Sequence, residues 1–196
     1  MPPTPDVRAQ ARCDWSKANE RMIAYHDTEW GVPVHDDRKL FEFIVLDAFQ
    51  AGLSWAIVLN KREGFMRAFA DFEAAKIARF NSRSVERLVQ NEKIIRNRQK
   101  IVATIANAKC FLDIQTEFGT FDSYIWQFVG GQTRVNKWRT MRQIPAKTTQ
   151  SDAMSVDLKS RGLKFVGSTI CYAFMQAAGM VNDHETGCFR YEEVMT

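Results

Sequence analysis

Apolar residues recur at the three- and four-residue spacing of a helix along most of this chain. Either Asp36 or Asp37 can cap the first strongly apolar helix, and the helical pattern continues beyond Gly52 in SWAIVLNKREGFMRAF. A longer apolar face predicts an extended helix that runs towards Phe118 and ends at Gly119. The apolar positions of these two helices are Leu40, Phe41, Phe43 and Ile44, then Ile94, Ile101, Ile105, Ala108 and Leu112.

Shorter helices are predicted on both sides of the long one. We expect one that opens at Asp71 and runs through Phe80, and another that opens at Asn81 or Ser82. Beyond the long helix the chain restarts at Thr120, and two glycines at residues 130–131 close that segment.

A polar loop through Pro145 precedes the last two predicted helices. Ser151 is expected to cap a helix that Gly162 ends, and a final helix runs from about Ser168 to near Gly179. The chain has no sustained alternation of β-branched and polar residues. We therefore predict an all-α fold.

Length and composition favour one globular domain. The chain has 196 residues, of which 45% are hydrophobic and 12% aromatic. The first twelve residues hold three prolines and little apolar material, so we expect a flexible tail over residues 1–12 and a single domain over residues 13–196. The longest apolar stretch, residues 41–59, is interrupted by Asp47 and Gln50. This predicts a cytoplasmic protein without a membrane segment, and we expect a monomer.

The charge distribution is compatible with a nucleic-acid partner. The formal net charge is +4 and the isoelectric point is about 8.9. Basic residues gather in KREGFMR, KIIRNRQK, KWRTMR and KSRGLK. Any single cluster is most simply a solvated face, whereas four clusters together favour a polyanion.

Two cysteine and histidine pairs lie at opposite ends of the chain. Cys13 and His26 are near the start, and His184 and Cys188 follow at a four-residue spacing near the end. Two thiolates and two imidazoles form a closed tetrahedral set for a structural zinc ion, with no position left for a substrate water. The alternative is that the four residues are unrelated. Two further cysteines, at positions 110 and 171, fall in apolar helical patterns and are expected in the core.

Residues 161–179 resemble a helix-hairpin-helix DNA-binding element. A short turn around Val166 and Gly167 precedes a helix that opens at Ser168 and Thr169, and Lys164 lies beside the turn. The free N–H groups at such a helix start can bind a phosphate oxygen. Many helices with this opening bind nothing, so the motif alone leaves both interpretations open.

Aromatic residues gather around the first Cys/His pair. They are Trp15, Tyr25, Trp30 and Trp55. Flat rings suit a pocket for a nucleobase, although filling the core is the simpler explanation of any single ring. Asp47 favours the pocket, because a lone carboxylate among apolar helical neighbours is costly without a partner or ligand.

The order and spacing of several motifs resemble the bacterial type I 3-methyladenine DNA glycosylases. The motifs are RCDW, AYHDTEWGVP, QAGLSW, ERLVQNEKIIRNRQKI and KFVGSTICYAFMQAAGMVNDH, followed by Cys188. The resemblance implies a helix-hairpin-helix glycosylase fold of two helical lobes with a pocket between them. It also implies zinc on Cys13, His26, His184 and Cys188.

The resemblance further implies residue roles. Tyr25, Trp30 and Trp55 would stack on a flipped 3-methyladenine, and Asp47 would contact its polar edge. The turn at Gly52 and Leu53 would enter the gap that the flipped nucleotide leaves in the base stack of double-stranded alkylated DNA. The hairpin residues Gly167, Ser168 and Thr169, beside Lys164, would hold phosphates. Free 3-methyladenine would be the product, released without strand cleavage.

Two positions depart from the family pattern. Asp47 stands where the family usually has glutamate, and Met22 where it often has an aromatic residue. Two other functions stay open at this level: a damage-binding protein that has lost excision, and an unrelated hydrolase with a catalytic zinc.

Overall fold

In the computed structural model, which describes residues 11–195, helices form most of the chain, as the apolar spacing predicts. Eleven α-helices are present in that range. They are α1 (Glu20–Thr28), α2 (Asp37–Gln50), α3 (Trp55–Asn60), α4 (Arg62–Ala68), α5 (Ala74–Ile77), α6 (Ser82–Val89), α7 (Arg98–Phe118), α8 (Phe121–Ile125), α9 (Thr149–Ser160), α10 (Ser168–Ala177) and α11 (Arg190–Glu193). Short 3-10 helices cover Asp14–Ala18, Ala70–Phe72, Trp126–Val129 and Met141–Gln143.

The all-α prediction needs one correction, because two short strands form a parallel pair. Strand β1 (Arg134–Val135) lies in the segment predicted as a polar loop, and β2 (Val181–Asn182) follows α10. Arg134 pairs with Val181 and Val135 with Asn182. Strands of two residues are too short to show alternation in the sequence.

A side-chain cap begins six of the eleven α-helices. Asp36 accepts a hydrogen bond from the Lys39 backbone N–H at 2.8 Å and so begins α2 as predicted. Asn81 begins α6, and α7 ends at Phe118 with Gly119 directly after it, which confirms both predictions.

Two predicted helix starts are wrong. Asp71 lies in a 3-10 turn with φ of 54°, and α5 begins only at Ala74. Helix α9 begins after Thr148, three residues before the predicted cap. Ser151 is instead the third helical residue, and its hydroxyl accepts from the Thr148 N–H at 2.8 Å.

Helix α2 lies at the centre of the hydrophobic core, where it packs against α3, α7, α8 and α10. Nine of its fourteen residues are buried. Phe41 meets Phe111 of α7 at 4.8 Å between ring centroids, and Phe111 stacks on Phe121 at 4.4 Å. A polar side chain on the inner face of α2 is therefore surrounded by rigid apolar neighbours.

The N-terminal segment is held from Ala11 onwards. The Ala11 carbonyl accepts from the Phe189 N–H at 3.0 Å, and Arg12 pairs with Asp27 at 2.8 Å. Residues 1–10 of the predicted tail lie outside the described residues, and the division into tail and domain stays a prediction.

No helix in residues 11–195 is long and apolar enough to cross a bilayer. Cys171 is buried as expected, whereas Cys110 is half-buried.

Candidate active site

A cavity of about 550 Å³ opens between α1, α2, α3, α10 and the segment of residues 141–146. All five side chains predicted to contact substrate line it, although they come from three different helices and one turn. They are Met22, Tyr25, Trp30, Asp47 and Trp55. Their roles in binding stay predictions, but the structure brings them to one place.

Aromatic rings form one side of this cavity. Tyr25 and Trp55 lie 5.3 Å apart between ring centroids at an interplanar angle of 45°. Trp15 packs edge-on against Trp30 at 4.9 Å. Both pairs keep ring faces or edges at the cavity, where a flat ligand gains stacking contacts.

Two buried polar atoms at this cavity have no hydrogen-bond partner among residues 11–195. Asp47 is only 2% exposed, and its Oδ2 atom forms no hydrogen bond with any of these residues. The Trp55 Nε1 donor is also buried and unpaired. One other such atom occurs in residues 11–195, on Arg190. Unpaired buried polar atoms are costly, so the partners of both atoms must come from what occupies the cavity, whether water or a ligand.

Burial also controls the protonation of the acidic groups here. Desolvation raises the pKa of Asp47 well above its usual range. The pKa of the Tyr25 phenol is raised by its own burial and then by the nearby Asp47 carboxyl. Without a cationic ligand, the cavity therefore favours a protonated carboxyl and a neutral phenol.

The turn between α2 and α3 lies at the cavity mouth, where Ser54 is part of the lining. Gly52 has φ of 80°, a conformation that side chains rarely adopt. The Leu53 N–H donates to the Gln50 carbonyl at 2.6 Å, while the Leu53 side chain is 39% exposed. The turn thus presents an apolar side chain to solvent from a fixed backbone.

The predicted hairpin forms between α9 and α10, which pack against each other. Gly167 is the N-cap of α10, and no side chain caps this helix. A Cβ atom at Gly167 would meet nothing within 4 Å, so no contact inside the protein requires glycine there. Thr169 lines the cavity, Lys164 is exposed, and the Ser168 hydroxyl hydrogen-bonds Asp152, which lowers the pKa of that carboxyl.

Sequence reasoning missed the wall of the cavity that α10 forms. Tyr172 and Gln176 both line it, one helical turn apart, and the four-residue spacing after the hairpin was the available signal. The sequence also gave no reason to include the segment of residues 141–146, which carries Met141, Ile144 and Pro145 to the opposite side.

Asp183 is buried and fully hydrogen-bonded, outside the lining of the cavity. Its Oδ1 accepts from Asn136 at 2.6 Å and from the Trp138 indole at 2.7 Å. Its Oδ2 accepts from the Tyr172 hydroxyl at 2.6 Å and from Gln176 at 2.8 Å. This carboxylate therefore joins β2, α10 and the segment after β1.

The two Cys/His pairs meet in a buried cluster. The ligand atoms of Cys13, His26, His184 and Cys188 all lie within 4.8 Å of one another. The Cys188 sulfur is 3.4 Å from His26 Nε2 and 3.7 Å from His184 Nδ1. The pKa of Cys188 is lowered by the hydrogen bond from Cys13 and the two imidazoles, which favours a thiolate. Such a set can hold a metal ion.

Outer contacts orient both imidazoles of this cluster. His26 Nδ1 is 2.8 Å from Asp27, which Arg12 holds in turn. His184 Nε2 is 3.0 Å from the Trp30 carbonyl oxygen. Metal-binding histidines usually have such partners on the second ring nitrogen. Trp30 also lines the cavity, so the cluster supports the aromatic wall directly.

Comparison with known proteins agrees with the resemblance noted in the sequence. The family model for methyladenine glycosylase matches residues 15–191. DNA-3-methyladenine glycosylase 1 of Escherichia coli (strain K12) is 50% identical over 180 residues, which is 92% of this chain and 96% of the relative.

Two solved structures share the fold over nearly the whole chain. A crystal structure of 3-methyladenine DNA glycosylase I is 51% identical with a TM-score of 0.89, and the match covers 91% of this chain and 98% of the other. A tyrosine-to-phenylalanine variant of 3-methyladenine DNA glycosylase I in complex with 3-methyladenine is 30% identical, with a TM-score of 0.88 and coverage of 91% and 96%. This chain belongs to the methyladenine glycosylase family.

Proposed function

We propose that this protein is a DNA-3-methyladenine glycosylase that flips the damaged nucleotide out of duplex DNA and hydrolyses its N-glycosidic bond. The observation that supports this proposal most strongly is the aromatic cavity, in which Asp47 Oδ2 and Trp55 Nε1 are buried without a partner among the described residues. The Escherichia coli relative bears the name of this activity, and a solved relative contains 3-methyladenine.

Base recognition combines stacking with charge. Tyr25 and Trp55, with Trp30 and Met22 beside them, supply the surface on which a flipped base stacks, worth about 1 to 3 kcal/mol per base. A base methylated at N3 is cationic within the nucleotide, so it stabilises the ionised form of Asp47. Unmodified adenine is neutral and does not compensate the buried carboxylate. Asp47 thereby selects the charged lesion.

The chemical step needs little acid catalysis. The cationic base already weakens the bond between the sugar carbon C1′ and the base nitrogen. When that bond breaks, its electron pair goes to the base, which departs as neutral 3-methyladenine. A water oxygen bonds to C1′ and loses a proton. A ring-lined, acidic cavity that favours the flipped cation over the stacked nucleotide accelerates this step.

Strand cleavage is not expected. A bifunctional glycosylase would need an amine close to C1′, and none of the described residues that line the cavity is a lysine. The product is therefore an abasic site in an intact strand.

Two turns are proposed to hold the duplex. Gly52 and Leu53 enter the gap that the flipped nucleotide leaves, because Leu53 is exposed at the cavity mouth. The α10 N-terminus at Gly167, Ser168 and Thr169 binds backbone phosphate through free N–H groups, with Lys164 nearby. The open space beside Gly167 supports this close approach.

The metal proposed for the Cys/His cluster is zinc in a structural role. Ordinary zinc bond lengths of about 2.3 Å to sulfur and 2.05 Å to nitrogen give tetrahedral sulfur-to-nitrogen separations of about 3.6 Å. Three of the four sulfur-to-nitrogen separations in this cluster are 3.4, 3.6 and 3.7 Å. Four protein ligands leave no position for a reacting water, so zinc would stabilise the fold and the aromatic wall.

The test is incubation with methylated duplex DNA, with chromatography of the released bases and a gel of the strands. We expect free 3-methyladenine and intact strands. Tight lesion binding with no released base would instead favour a damage-binding protein.

Asp47→Asn keeps the side-chain volume and removes the negative charge. Since a hydrogen bond to a charged group contributes about 1.5 to 3 kcal/mol, we expect release to slow by about 10- to 150-fold. Asp113→Asn, at an exposed position on α7, is the matched control. Unchanged release by the Asp47 variant would rule out its role in the pocket.

A further inference from the structure

We propose that Lys100 and Asn107, two buried polar residues of α7, are positioning residues that fix the spacing between residues 51–54 and residues 163–167. This inference rests on the proposed function, which assigns these two turns to the DNA duplex. It assigns a role to α7, a helix that contributes no residue to the cavity lining.

Lys100 holds the end of α2 from a distant part of the chain. It is 6% exposed, and its Nζ donates to the carbonyls of Phe49 at 2.8 Å and Ala51 at 2.6 Å. These carbonyls directly precede the Gly52 turn. Helix α2 has no basic residue in its own last turn, so Lys100 supplies the positive charge that a helix C-terminus favours.

A buried lysine is uncommon without a carboxylate partner. Burial lowers the pKa of Lys100, which shows that its environment opposes the charge. General stability is therefore a poor reason for this residue, since an apolar side chain would fill the same space without desolvation. The shape of the turn after α2 is the better reason.

The same ammonium group faces the second turn. Lys100 Nζ lies 5.8 Å from the centroid of the Phe165 ring. Phe165 has φ of 57°, in the left-handed region where a bulky residue is strained. Such strain persists only where the surroundings impose it, and it is common at functional sites.

Asn107 holds the second turn by its backbone. It is 1% exposed, and its Nδ2 donates to the Lys164 carbonyl at 3.0 Å. Its Oδ1 accepts from the Lys164 N–H at 2.7 Å. The backbone N–H and the carbonyl of Lys164 are thus both hydrogen-bonded to α7, three residues before Gly167, the N-cap of α10.

The two positions lie on one face of a rigid element. Seven residues of α-helix span nearly two turns and about 10 Å. Helix α7 therefore separates the exposed Leu53 from the phosphate-binding end of α10 by a fixed distance. Base flipping needs both contacts on one duplex at once, and small misplacements of such groups can slow a reaction by about 100-fold.

Amide hydrogen exchange tests the positioning directly, without DNA. In Lys100→Met we expect exchange at the Leu53 N–H to quicken tenfold or more, while amides inside α7 change less than twofold. In Asn107→Ala we expect the same at the Lys164 N–H. Lys109→Met removes the same charge from an exposed position on α7 and is the control. Unchanged exchange at both turns would overturn the proposal.

Enzyme assays then separate positioning from general support. We expect Lys100→Met to slow excision from methylated duplex DNA tenfold or more, with less than a twofold change in the affinity for free 3-methyladenine. If the excision rate and the affinity for free 3-methyladenine fall by the same factor, Lys100 only supports the cavity, and the proposal is overturned. Should Lys100→Met fail to fold, Asn107→Ala makes the same test from the hairpin side.

A double mutant tests whether Lys100 acts through the α2–α3 turn. Leu53→Ala combined with Lys100→Met is expected to be about as slow as the slower single variant. If the rate loss of the double variant equals the product of the two single losses, the two residues act independently, which would contradict the proposal. If the wild-type protein releases no 3-methyladenine, the proposed function fails, whereas the exchange measurements still decide whether Lys100 and Asn107 hold the turns.

Discussion

At the scale of single residues, the proposed chemistry of this site depends on a carboxyl group placed where carboxyl groups are rare. Asp47 sits on the inner face of α2, and its Oδ2 has no partner among the described residues. An internal arginine or lysine beside it would have fixed its charge permanently. Since no such group pairs with Oδ2, the charge of Asp47 can depend on the ligand.

The raised pKa of Asp47 gives a prediction for stability against pH. A carboxyl whose pKa is higher in the folded than in the unfolded state stabilises the fold below the unfolded value of about 3.9, and this stability is lost as pH rises towards the folded value. Asp47→Asn removes the effect. We expect the melting temperature of the variant to rise relative to that of the wild type as pH increases from about 4 towards neutrality.

The difference in unfolding free energy between the variant and the wild type changes by at most about 1.4 kcal/mol per pH unit, because one proton is involved. The Cys/His cluster is the same in both proteins, so its contribution to stability cancels in the difference. Parallel melting curves across this pH range would show that Asp47 is not a buried, protonated group.

Much of the cavity could be predicted at this scale, because its residues are conspicuous in sequence. A lone Asp47 between Leu46 and Ala48 indicates a pocket by its chemistry, whereas Trp30 or Trp55 taken singly would more simply fill the core. Tyr172 is not conspicuous, since a tyrosine in an apolar helix is ordinarily core. Only the packing of α10 against α2 shows that it reaches the cavity.

At the scale of elements, one buried carboxylate joins parts that the hydrophobic core alone does not align. Asp183, directly after β2, accepts four hydrogen bonds from α10 and from the segment that follows β1. Two of its donors, Tyr172 and Gln176, also line the cavity. These four hydrogen bonds account for the buried carboxylate structurally.

Asp183→Asn is predicted to destabilise the protein. The amide group would turn an N–H donor towards two existing donors, so two charge-assisted hydrogen bonds are lost, worth about 3 kcal/mol or more in unfolding free energy. Thermal melting is expected to shift down by roughly 6 to 12 °C. Asp113→Asn, on the exposed face of α7, is expected to change the unfolding free energy by less than about 0.5 kcal/mol. Equal melting temperatures for both variants would contradict this assignment.

Element boundaries were predictable where a single side chain decides them. Asp36, Asn81 and Gly119 each perform the local role that the sequence indicates. The predicted start of α9 at Ser151 was wrong because a serine can occupy the third helical position of a capping box as well as the N-cap. Strands β1 and β2 depend on a pairing between residues 47 positions apart, which no local pattern encodes.

At the scale of the whole molecule, the Cys/His cluster joins the beginning of the described chain to its end. Cys13 and His184 are 171 residues apart, yet their ligand atoms lie 3.6 Å from each other. The spacing within each pair suggested metal ligands, but residue spacing cannot show that two distant pairs meet. The resemblance to a known family supplied that step before the structure did.

Removal of the metal is predicted to unfold the protein and abolish base release together. Purified protein is expected to contain about one zinc per chain, and chelation to lower helical circular dichroism in parallel with activity. Cys188→Ser is expected to do the same without a chelator, whereas Cys110→Ser, at a half-buried position outside the cluster, serves as the control. Persistent helices in a metal-free, inactive protein would point to a catalytic metal instead.

The central claim is that the cavity around Asp47 selects a 3-methylated purine by its charge and shape. Calorimetric titration of 3,9-dimethyladenine, whose N9 methyl group replaces the sugar and keeps the base cationic, and of neutral 9-methyladenine into the wild-type protein and Asp47→Asn measures this selection without DNA. We expect the cation to bind the wild type at least tenfold more tightly than 9-methyladenine, and the preference to shrink in the variant. Equal affinity for both bases, or an unchanged preference in Asp47→Asn, would contradict the account.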